Sequence, residues 1–72
     1  MADSQFDVRS ALLENLLKKV DADPFPSITM MNLVEELLTP DDVPNYARVL
    51  LAKVADEQFP STSMLARIRD LA

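Results

Sequence analysis

FPSTSM, residues 59–64, repeats FPSITM, residues 25–30, in a chain of 72 residues. Sliding the chain by 34 residues extends the match well beyond these six. LLKKVDADPFPSITMMNLVEELL (16–38) lies over LLAKVADEQFPSTSMLARIRDLA (50–72). Nine of the 23 aligned positions are identical: Leu16/Leu50, Leu17/Leu51, Lys19/Lys53, Val20/Val54, Phe25/Phe59, Pro26/Pro60, Ser27/Ser61, Met30/Met64 and Leu37/Leu71. Background usage gives about one or two such matches, so the chain holds two copies of one supersecondary unit.

Each copy reads as helix, short turn, helix. Ser4, with Asp7 three residues on, forms an acidic variant of the capping box and starts the first helix. Val8, Leu12, Leu13, Leu16, Leu17 and Val20 follow at three- and four-residue steps, a broad apolar stripe. DADPFP ends it, because Pro24 and Pro26 each disfavour helix in the residue before them. Ser27 restarts a helix with Ile28, Met31, Val34, Leu37 and Leu38 as apolar positions.

TPDDVPNY (39–46) opens the second copy, with Thr39 as cap, Pro40 at the first helical position and two acids at the positive helix end. Pro44 lacks the N–H needed in the fifth position, which predicts a helical turn at 40–43 and a kink or restart near Pro44. Tyr46, Val49, Leu50 and Val54 continue the stripe, Ser61 caps the last helix, and Met64, Leu65, Ile68 and Leu71 line it. The fold class is therefore all-α: four helices as two tandem helix-turn-helix repeats of about 34 residues. They are read as one helical domain over 1–72, with repeat 1 at about 4–38 and repeat 2 at about 39–72.

Absent glycine agrees with helix over hairpin-rich structure, and absent cysteine leaves a small core without a disulfide or thiolate-held metal. The expected core is Leu12, Leu16, Leu17, Val20, Phe25, Met31, Val34, Leu37, Leu50, Val54, Phe59, Leu65, Ile68 and Leu71. In this reading each Phe staples its turn onto the following helix, Pro sets a dihedral, and Ser satisfies a free helix N–H. The alternative makes Phe25 and Phe59 the centres of two equivalent docking grooves.

Catalytic chemistry has little to work with. Histidine and cysteine are absent and Tyr46 is the only tyrosine, so neutral-pH proton transfer would need a strongly shifted carboxylate or lysine. Ser27 and Ser61 have no imidazole to activate them, and no glycine is present for a phosphate loop. Asp21 and Asp23 form a D-x-D, but the further oxygen ligands and central glycine of a calcium loop are missing. The expectation is a non-enzyme with no cofactor, no metal and no small-molecule substrate.

Residues 1–43 carry three bases against nine acids, and residues 44–72 carry four bases against three acids, within a net charge of −5. That balance repels phosphate, so no nucleic-acid partner is expected. No apolar run reaches the roughly 18 residues of a membrane span. MADSQFDVRS (1–10) has two acids before its first base and no apolar segment, unlike a signal peptide, so an intracellular soluble protein is expected.

The 34-residue period matches the tetratricopeptide repeat in length alone, since that family's Trp, Gly and Ala pattern is absent. The paired F-P-S-x-[ST]-M units joined by T-P-D-D-V-P-N-Y resemble small uncharacterised helical proteins of actinobacterial phages. The resemblance implies a cytoplasmic or virion location. The expected function is protein–protein interaction within a larger assembly, as a phage structural or accessory component. The alternative is an acidic regulator that occupies a basic surface of a host protein. Contact would use Glu35, Glu36, Asp41 or Asp42 against arginines, with Arg48, Arg67 and Arg69 the candidates for self-association. Phe6, Met30, Leu33 and Met64 stand off the best-defined stripes and would supply apolar contact.

Overall fold

The computed structural model describes residues 7–72. Among them lie four helices and no strand: α1 (Val8–Ala22), α2 (Ile28–Leu37), α3 (Val43–Asp56) and α4 (Thr62–Leu71). Helix α1 packs against α2 and α3 against α4, and the chain divides between Leu38 and Thr39 into two compact hairpin units.

The two hairpins repeat one another closely at their turns. Helices α1 and α3 end at Ala22 and Asp56, and α2 and α4 run over 28–37 and 62–71, all offset by 34. Ser27 (φ −68°, ψ 148°) and Ser61 (φ −70°, ψ 146°) are the N-caps. Each hydroxyl accepts from the backbone N–H three residues on, Met30 or Met64, at 3.0 Å. Replacing either serine by Ala should cost about 1 kcal/mol. Matching losses in thermal unfolding are expected, and a null effect at one site would break the equivalence of the two corners.

The start of α1 differs from expectation. Ser4 lies outside the described residues, and Asp7 is the cap. Its carboxylate accepts from the Ser10 hydroxyl at 2.8 Å and the Ser10 N–H at 3.3 Å. The hydroxyl bond first, then the backbone one, holds the Asp7 carboxyl below its ordinary value.

In the second unit, Thr39 caps a turn rather than a helix. Its N–H and hydroxyl both donate to the Asp42 carboxylate, at 3.1 and 2.7 Å, while the Asp42 N–H returns to the Thr39 carbonyl at 2.9 Å. The helix then restarts at Val43 with Pro44 in its first turn, where its missing N–H costs nothing. No described residue has positive φ, and the helices end in extended residues: Asp23, forced there by Pro24, then Leu38 and Glu57.

The core is smaller than the stripes predict. Leu13, Leu16, Val20, Met31 and Val34 are buried in the first unit, and Tyr46 and Leu50 in the second. Leu12, Phe25, Phe59 and Leu65 are exposed, correcting their place in the core, and Leu17, Leu37, Val54, Ile68 and Leu71 are half-buried. The first hairpin is also tied across its open end, where the Arg9 guanidinium donates to the Leu37 carbonyl at the C-terminus of α2.

The units differ because the second has lost filling. Under the 34-residue offset, Leu13 becomes Ala47 and Arg9 becomes Val43. Less side chain reaches from α3 toward α4, and no residue of α4 is buried.

Candidate interaction surface

The exposed aromatic corners are the most distinctive surface. Phe25 is 78% and Phe59 85% exposed. Neither ring is tucked into its own unit as a staple would be. Pro26 stands one position before the Ser27 cap and Met31 at the fourth helical position, and both are buried. Phe25 stands one residue further out. Its backbone is fixed by an Asx turn, with its N–H donating to the Asp23 carboxylate at 2.9 Å. Pro60, the equivalent of Pro26, is half-buried.

Each corner carries the same charge. Residues 21–29 contain Asp21 and Asp23 and no base, and residues 55–63 contain Asp56 and Glu57 and no base. A mostly exposed aromatic ring in an acidic setting is thus presented twice in one chain. Single exposed apolar residues are ordinary, but the duplication at matched backbone geometry is not explained by packing.

The other expected contact residues are spread along the two units. On α2, Leu33 and Glu36 are exposed neighbours three residues apart, whereas Met30 and Glu35 are half-buried. Asp41 is exposed in the turn, but Asp42 is half-buried with its carboxylate engaged by Thr39. Arg48 is exposed on α3, while Met64 and Arg67 on α4 are half-buried. Arg69 is exposed and pairs with its neighbour Asp70 at 3.1 Å, four residues on from Leu65, which is 43% exposed. Phe6 lies outside the described residues.

Among the described residues no side chain that carries a charge at neutral pH is buried, no cluster of metal-ligating residues forms, and no helix is long and apolar enough to cross a membrane. No protein family, curated protein or solved structure matches the chain.

Proposed function

We propose that this chain is a small non-enzymatic interaction component of a larger protein assembly, and that its acid-flanked aromatic corners are its contact points. The observation that carries this reading is the exposure of Phe25 and Phe59 at equivalent positions. Aromatic residues are the commonest anchors of protein interfaces, and two chemically alike anchors in one chain suit a partner that recurs within an assembly. By its sequence resemblance the assembly is that of a phage, with the chain in the virion or the host cytoplasm.

The acidic corners favour one rival. Two carboxylates beside each ring also suit an inhibitor that covers a basic surface on a host protein. The two readings separate by salt: an assembly component co-purifies with particles at high ionic strength, whereas a regulator binds as a monomer and releases as salt rises.

A photoreactive phenylalanine analogue at position 25, expressed in the native source, should crosslink to one discrete protein of the assembly. Phe25→Ser should abolish co-purification while leaving folding stability within about 0.5 kcal/mol, as for other surface substitutions. Retained co-purification of the folded variant would overturn the proposal.

A further inference from the structure

Helix α2 ends differently from the other three. After α1, α3 and α4, the next residue (Asp23, Glu57 or Ala72) returns its N–H to a carbonyl of the last turn. Each of those turns also carries a base: Lys19, Lys53 or Arg69. Helix α2 has neither device. Leu38 returns no such bond, and the last turn holds Glu35 and Glu36, whose charge is unfavourable beside open helix carbonyls.

The missing cap comes from across the hairpin. In the first turn of α1, the Arg9 guanidinium donates to the Leu37 carbonyl. Its second amino group donates to the Ser10 hydroxyl at 3.2 Å, and that hydroxyl donates to the Asp7 carboxylate at 2.8 Å. The start of α1 thus builds a support that holds the guanidinium over the end of α2. The second repeat exchanges both partners. At the 34-residue offset Arg9 becomes Val43 and Glu35 becomes Arg69. Where the helix supplies its own terminal base, the opposite arginine is dispensed with.

We infer that Arg9 is a strap that switches the last turn of α2: residues 35–37 are helical while the guanidinium holds Leu37 and fray when it leaves, with the rest of the α1–α2 hairpin still folded. The buried residues of this unit, Leu13, Leu16, Val20, Met31 and Val34, all lie outside the turn that opens. Leu33 and Glu36 are exposed three residues apart, so the strap decides whether α2 offers them on one helical face. The inference stands apart from the role given to Phe25 and Phe59.

Amide exchange of the full chain, followed by NMR, reads the device directly. Arg9→Ala should speed exchange at residues 35–37 about tenfold or more, the loss of a hydrogen bond to a charged group. The amides of Leu16–Val20 and of α3 and α4 should exchange as before. Adding Glu35→Arg, the residue the second repeat carries there, should restore protection, because a base in the last turn caps the carbonyls from within α2. Lost packing of the Arg9 stem would not be rescued in this way. Unchanged exchange at 35–37 in Arg9→Ala overturns the inference. So does a rise spread evenly over α1 and α2, which would make Arg9 part of the general stability of the hairpin. A Glu35→Arg change that restores nothing overturns it as well.

Discussion

Leu50→Ala is expected to remove about 2–5 kcal/mol of stability, the range for emptying a buried leucine site. The whole chain of 72 residues holds only about 4–11 kcal/mol, so the substitution should leave much of the population unfolded. Leu50 has no exposed surface, and in its unit only Tyr46 is buried with it. A core of two side chains cannot spread the loss over neighbours, and Ala47 beside them offers little bulk to collapse into the cavity. Urea titration with an unchanged slope and a midpoint shifted far down is the predicted record. Amide exchange should rise first in Val43–Leu71. A loss below about 1 kcal/mol would place Leu50 outside the core and contradict the α3–α4 packing.

Helix number, type and the two turns were legible in the sequence because the signals there are local. Ser27 and Ser61 satisfy helix N–H groups within three residues of themselves, and Pro24 acts on Asp23 directly. Pro44 was legible for the same reason, since an imino acid at an interior position forces a restart whatever the tertiary context. Asp7 displaced Ser4 as the cap because the 7–10 pair offers both a hydroxyl and an N–H to one carboxylate.

Burial was less legible, since periodicity gives a stripe and not the width of what covers it. Leu12 and Leu13 belong to the same stripe, one residue or about 100° apart. A ten-residue partner helix covers a narrow seam, so Leu13 is buried and Leu12 is 46% exposed. The phenylalanines misled for a different reason. Phe25-Pro26-Ser27 satisfies a staple pattern with either of its first two residues, and the proline, nearer the cap, takes the inner place. Ring size gave the expectation that phenylalanine would win. Chain direction decided otherwise, and the largest apolar side chains of both corners were left at the surface.

The sharpest consequence of the divergence between repeats concerns Met31 and Leu65, which occupy the same position 34 residues apart. Sequence symmetry alone predicts equal effects when each is replaced by Ala. The structure predicts a large inequality, because Met31 is 4% exposed and Leu65 is 43% exposed. Met31→Ala opens a cavity in the first core, where Leu13, Leu16 and Val34 are also buried, and should cost about 2–5 kcal/mol. Leu65→Ala removes a side chain that is already partly in water and should cost less than about 1 kcal/mol. Equal losses at both sites would mean that the second hairpin is as closed as the first, and the substitution of Ala47 for Leu13 would have no packing consequence.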